Sequence, residues 1–309
     1  MATGEAQATT TTNEAVTLTT ATGVLSGTLM IPAGAGALPL VVIIAGSGPT
    51  DRNGNAAGAP SGSDAYRILA DSLANHGIAS LRYDKRGIAA SRGAGGSESG
   101  LRFERLADDA AQWVAQARTS GRFSRIVIAG HSEGSLLGML AAQITGADAF
   151  ISLAGPARRA DLILHEQLAR NLPPTLLAQS DSILASLVRG DTVPSTPAPL
   201  AALFRASVQP YLISWLHYDG ATEIAKLRIP VLIVQGAHDA QVAPREADLL
   251  AAAAPTATVA RLAGMNHVLK LTPAALTEQM RSYTDPTVPI APELVATLVT
   301  FISGLQGRR

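Results

Sequence analysis

Ile126-Val127-Ile128-Ala129-Gly130-His131-Ser132-Glu133-Gly134-Ser135-Leu136-Leu137-Gly138-Met139-Leu140 reads as a short strand, a glycine-flanked turn and a helix. The first four residues are apolar and mostly β-branched, which suits a strand buried on both faces, and the residues after the turn favour a helix. Between them, Gly-x-Ser-x-Gly sets Ser132 at the tip of a sharp strand-to-helix turn. The small neighbours let the two backbones approach closely, and the strained turn pushes the hydroxyl outward. Ser132 is the candidate nucleophile.

Outward from this turn, apolar runs alternate with helical patterns. Residues 16–31 alternate apolar with polar around Thr22-Gly23, as in a hairpin, and 38–45 form a short buried run. A helix opening at Ser63 or Asp64 and ended by Gly77 precedes a strand at 78–83. Helix 103–119 carries Phe103, Leu106, Ala110, Trp113 and Val114 at helical spacing, and strand 125–129 leads into the turn. Further strands are predicted at 149–154, 229–235 and 256–262, with a helix at 245–253 between the last two. Such alternation predicts an α/β fold with a mainly parallel central sheet flanked by helices. Residues 157–225 break the rhythm with helical periodicity and a Pro-rich joint at 193–199, which predicts a helical cap inserted between core segments 16–156 and 226–309. Residues 1–15 read as a disordered tail and 93–100 as a mobile loop.

Composition excludes several classes of function. Lys+Arg and Asp+Glu both number 24, so no basic excess draws nucleic acid. With no cysteine there is no disulfide, no thiolate metal site and no cysteine nucleophile. No apolar run approaches the roughly 18 residues of a membrane span. The N-terminus lacks the charged and apolar regions of a signal peptide; Ala6-Gln7-Ala8 would fit the end of a cleaved leader, so the compartment stays open. Oligomeric state is not legible.

A serine hydroxyl needs a base within hydrogen-bond reach and an anion that fixes the base's tautomer. His267 follows the last apolar run, in Gly264-Met265-Asn266-His267, on a loop at a strand's carboxyl end, where side chains from different strands of a parallel sheet converge. It is the candidate base. Asp239 closes Val231-Leu232-Ile233-Val234-Gln235-Gly236-Ala237-His238-Asp239 and is the candidate acid, with an Asx turn or a helix cap as the plain alternative and Asp161 or Glu166 as substitutes. Oxyanion donors are expected from the backbone N–H of Glu133 and from the loop Gly46-Ser47-Gly48-Pro49-Thr50-Asp51-Arg52-Asn53, with Ser47 first and Gly48 second. A plain tight turn is the competing reading of that loop. This chemistry requires no metal and no organic cofactor.

With these motifs in place, the chain resembles the α/β-hydrolase superfamily, close to its bacterial esterase, dienelactone-hydrolase-like and prolyl-oligopeptidase-like members, over about residues 16–302. Asp84-Lys85-Arg86-Gly87 with Ser91 resembles the family's DxRGxGxS loop, and residues 236–242 resemble its GxxDxxV acid loop. The order serine, acid, histidine also matches. Ala45 stands where many relatives carry histidine, and Ala89 where glycine is usual. The resemblance implies an α/β-hydrolase fold and a serine hydrolase cleaving small carboxylic esters through an acyl-enzyme. Peptidase, amidase or thioesterase activity on the same triad, or a catalytically silent binding protein, are the alternatives. Candidate pocket residues are Gly48, His131, Tyr211, Trp215 and Tyr218. His131 points away from the nucleophile if Ser132 holds the tip, and the aromatics of 211–218 either roof an acyl pocket or form the cap's own core.

Overall fold

In the computed structural model, residues 11–34, 36–56, 59 and 61–305 are described. Eight strands form one sheet: β1 (Thr11–Thr20), β2 (Gly23–Pro32), β3 (Leu38–Ile44), β4 (Ala79–Tyr83), β5 (Phe123–His131), β6 (Ala149–Leu153), β7 (Val231–Gly236) and β8 (Thr258–Leu262). Their spatial order is β1-β2-β4-β3-β5-β6-β7-β8. The hairpin β1–β2 and the β2–β4 pair are antiparallel, and every pair from β4 onward is parallel. The central strands are buried on both faces, so neighbouring residues of one strand enter different cores. Leu40, Val42 and Ile44 pack with Trp113 and Leu137 on one side, whereas Val41 and Ile43 pack with Leu69 and Leu298 on the other.

Helix α1 (Ala65–Ala74) links β3 to β4, α2 (Phe103–Thr119) links β4 to β5, and α3 (Glu133–Thr145) links β5 to β6. Between β6 and β7 lie α4 (Ala160–Ala169), α5 (Pro174–Val188), α6 (Ala201–Phe204), α7 (Gln209–Trp215) and α8 (Gly220–Ile224), with no strand among the described residues. Helix α9 (Arg245–Ala253) precedes β8, and α10 (Leu276–Arg281) and α11 (Pro292–Gly304) follow it. The α4–α8 segment is anchored on α2. Ser214 Oγ accepts the Phe103 N–H at 2.8 Å, capping a helix start that lacks a side-chain cap of its own, and the Phe103 and Trp215 rings stack at 5.9 Å.

Two local expectations are corrected. Of the tail expected over 1–15, residues 1–10 lie outside the described residues, but 11–15 extend β1, because their partners 28–32 continue the hairpin ladder. Residues 93–100 are not a plain loop: the backbone there makes 3₁₀ turns at Ala89–Ala94 and Glu98–Gly100. The Ala94 carbonyl accepts from Thr22 Oγ1 and from Arg86, both at 3.0 Å, which ties this stretch to the hairpin. Ala89 sits at φ 42°, so the side chain that departs from the family pattern occupies a conformation glycine adopts more easily.

The chain reverses direction across the sheet at β3. Strand β4 lies on one side of it and β5 on the other, so the loops leaving β3 and β5 part at their carboxyl ends and leave a crevice. Ile44 pairs with Gly130, which brings the residues just beyond them, through Gly46 and Ser132, side by side. The elbow glycines permit this approach. A Cβ on Gly134 would lie 2.4 Å from the Ile44 carbonyl oxygen and 2.6 Å from that of Ala45. In an open helix, alanine would be favoured over glycine by about 1 kcal/mol, but backbone atoms at that distance cannot yield cheaply. Gly134→Ala is therefore expected to destabilise the protein by about 1–3 kcal/mol in urea unfolding; a gain in stability would contradict the packing described.

Candidate active site

Ser132 occupies the residue before α3 with φ 54° and ψ −123°, a conformation a non-glycine residue rarely adopts. The turn is held by its N–H donating to the Leu153 carbonyl and by its own carbonyl accepting from Ser135 N–H, both at 2.9 Å. The half-buried side chain lines a cleft of about 310 Å³ shared with Ser47, Tyr66, His131, His267 and Tyr283. A larger cavity of about 900 Å³ opens at the opposite, amino-terminal edge of the strands beside Arg228, Pro230 and Phe301, and its described lining contains neither serine nor histidine. The smaller cleft holds the chemistry-bearing groups.

His267 and Asp239 meet. His267 Nδ1 lies 2.9 Å from Asp239 Oδ2, and both side chains are almost wholly buried. Donation of Nδ1–H to the carboxylate leaves the lone pair on Nε2. The Asx turn is present too: Asp239 Oδ1 accepts the N–H groups of Gln241 and Val242 at 2.8 Å each. One oxygen closes the turn while the other orients the imidazole, and Gln235 Nε2 adds a bond to Oδ2 at 3.1 Å. Burial alone would raise the Asp239 pKa, but the charge and hydrogen bond of His267, with the two amides, hold it below the usual range. Asp161 and Glu166, the substitutes, are instead paired with Arg159 and Arg158 at 2.7 and 2.8 Å.

The loop after β3 comes to the elbow. A Cβ on Gly46 would lie 3.2 Å from His131 Nδ1 and 3.3 Å from Ser132 Cβ, so the bare backbone is what fits. Ser47 and Glu133 both border, with Ser132, a second small cavity of about 30 Å³ whose wall includes Ile163, Leu164 and Trp215. Glu133 opens α3, where the N–H groups of the first turn have no partner within the helix and carry the positive end of its dipole.

His131 is embedded in a relay absent from any sequence signal. Its Nε2 lies 2.7 Å from the His267 carbonyl oxygen, which can only accept, so Nε2 bears the hydrogen. Nδ1 then accepts from the Tyr66 hydroxyl at 2.7 Å, and that hydroxyl accepts the Gly46 N–H at 3.1 Å. The side chain lines the cleft that holds Ser132, its ring 4.8 Å from that of His267, and it ties the β3 loop to the loop carrying His267. Tyr66 lies on α1, far in sequence from its partners, and nothing around it marks the role.

Of the other pocket candidates, Trp215 faces the small cavity, while the rest are displaced. Gly48 takes φ +71° and turns the loop outward, lining neither cavity. Tyr211 is buried with its hydroxyl donating to Glu133 Oε1 at 2.7 Å. Tyr218 lies beyond the end of α7, where its ring packs on Phe103 and its hydroxyl reaches Glu104 at 3.0 Å. The aromatic cluster is mainly a joint between α7 and α2.

Burial, and then the neighbouring His267 ring, lower the His131 pKa from 6.5 to about 3, against the opposing pull of the His267 carbonyl and Asp239. Above pH 6.5 the ring is neutral in both folded and unfolded chains. Between pH 6.5 and 3 only the unfolded chain takes up the proton, so stability is lost as pH falls, by about 1.4 kcal/mol per pH unit. Relative to wild type, His131→Gln should lose about 2 kcal/mol less between pH 7 and pH 5 in urea unfolding; equal losses would contradict a buried neutral imidazole.

A family profile described as "Serine aminopeptidase, S33" matches residues 56–196, which include the elbow. Esterase EstD of Thermotoga maritima is 28% identical over 234 residues, 73% of this chain and 52% of EstD, so the chain spans about half the length of that relative. Est1E from Butyrivibrio proteoclasticus, solved with ferulic acid, superposes with a TM-score of 0.60 at 18% identity, covering 91% of this chain and 95% of Est1E. XC6422 from Xanthomonas campestris, described as an α/β serine hydrolase without lid, gives 0.55 at 18% identity, covering 96% and 97%. These two share the fold. With its sheet topology and these superpositions, the chain has the α/β-hydrolase fold.

Proposed function

We propose that the protein is a carboxylic ester hydrolase acting through an acyl-enzyme on Ser132. The observation that carries this reading is His267, held by buried Asp239, lining the same cleft as a serine held in strained backbone. In the proposed cycle Ser132 Oγ attacks the ester carbonyl carbon and its proton passes to His267 Nε2. The oxyanion is met by the N–H groups of Ser47 and Glu133, and collapse expels the alcohol, which takes the proton back from His267. Water, deprotonated by the same nitrogen, then releases the acid. Asp239 stays ionised, orienting the ring and stabilising the imidazolium. EstD, named as an esterase, supports the reaction class.

The name of the matched profile favours a second reading, an aminopeptidase. That activity needs a carboxylate to receive the substrate's ammonium group; the described lining of the cleft has none, and Glu133, which borders the small cavity, is already engaged by Tyr211 and Lys85. The site suits a neutral ester better. The small cavity beside Ser132, Ile163 and Trp215 has room only for a short acyl chain, while the larger cleft takes the alcohol portion. We therefore expect kcat/KM for nitrophenyl acetate or butyrate to exceed that for the octanoate by about tenfold or more. A preference for the octanoate would assign the acyl chain to the larger cleft.

Wild-type protein is expected to label with a fluorophosphonate, and Ser132→Ala to abolish the label. Asp239→Asn should fold normally and lose about 10⁴-fold in kcat, as expected when the base is left in the wrong tautomer. An unlabelled wild type would favour the binding-protein reading, and full turnover by Asp239→Asn would move the acid elsewhere.

A further inference from the structure

We infer that Lys85 is a positioning residue that sets the oxyanion hole by holding the carbonyl of Gly46. The inference rests on the ester hydrolase reading and adds to it a residue with no role in the triad. Lys85 lies two residues past β4, and β4 is the neighbour of β3, so its side chain can reach the loop that supplies Ser47. It is buried, and its Nζ donates to the Gly46 carbonyl oxygen. Tyr66 receives the N–H of the same residue, so both polar backbone atoms of Gly46 are gripped by side chains from separate elements.

In a trans peptide the carbonyl of one residue and the N–H of the next project from opposite edges of one plane. With the Gly46 carbonyl turned to the ammonium, the Ser47 N–H faces the other way, and the packing of Gly46 on the elbow sets that amide beside Ser132. Rotation of that plane by half a turn would replace the donor with a carbonyl oxygen and repel an oxyanion. The ammonium also polarises the amide it holds, which strengthens the N–H on the opposite edge.

The charge of Lys85 is matched locally. Glu133 Oε1 lies 3.8 Å from Nζ, also buried, and accepts the Tyr211 hydroxyl at 2.7 Å. Glu133 is the residue whose backbone is the other proposed donor. Both proposed donors of the hole and helix α7 are thus linked by one short chain of buried contacts.

The test compares wild type, Lys85→Met and the charge-neutral pair Lys85→Met/Glu133→Gln, which spares the fold an unpaired buried carboxylate. We expect kcat on nitrophenyl acetate to fall by about 10²-fold with KM within about threefold of wild type. Affinity for an aryl trifluoromethyl ketone should fall by the same factor as kcat, because Ser132 adds to the ketone carbonyl to give an oxyanion in the hole. A folded Lys85→Met with kcat and ketone affinity both within about threefold of wild type overturns the inference. If Lys85→Met does not fold, the double variant decides by the same two readouts. Wild-type protein inert toward esters and fluorophosphonate would sink the hydrolase reading and this inference with it, whereas an active wild type with an unaffected variant sinks this inference alone.

Discussion

The constraint on which the site depends is the close passage of two backbones where the chain leaves β3 and β5. These strands are parallel neighbours although α1, β4 and α2 separate them in sequence, and the crevice between their carboxyl ends is where an open α/β sheet can hold a ligand. The approach is possible because Gly46, Gly130 and Gly134 carry no side chain where a Cβ would meet backbone or ring atoms. The glycines of the motif are thus a packing requirement first. Their chemical consequence is that a backbone amide and a hydroxyl arrive side by side.

Around that passage the polar groups are buried but partnered, and this makes the geometry rigid. Gly46, Tyr66, His131 and the His267 carbonyl form one neutral relay; Lys85, Glu133 and Tyr211 form a charged one on the other side. A buried polar group left without its partner costs more than a typical hydrogen bond contributes, so each member holds its neighbours in place. Exposed pairs such as Arg261–Asp248 carry no such penalty and are worth little. Catalysis by preorganised donors needs this rigidity, because the donors must already be aimed when charge develops.

Much of the fold was legible in the sequence because it is built from local signals. The buried apolar runs of β3 to β7, the helical spacing of α2 and α9 and the elbow are each readable within a window of ten or so residues. Asp239 and His267 could be placed because each ends such a run. What escaped reading depends on contacts distant in sequence. Tyr66 has an ordinary helical surrounding and acquires meaning only when folding sets it against residue 131. Lys85 lies in a recognised loop, yet its partner is a backbone carbonyl 39 residues away. Tyr218 packs on Phe103 from beyond the end of α7, a placement that depends on where the helix stops at Trp215. The strand start at Thr11 was hidden by a threonine run that resembles a solvated tail until its hairpin partner is known.

The most direct test of the convergence is a crystal structure of the protein after reaction with a fluorophosphonate. The account predicts phosphorus bonded to Ser132 Oγ, the phosphoryl oxygen about 3 Å from the amide nitrogens of both Ser47 and Glu133, and His267 Nε2 within hydrogen-bond reach of the adduct. An adduct on another side chain, or a phosphoryl oxygen turned away from both amides, would contradict it.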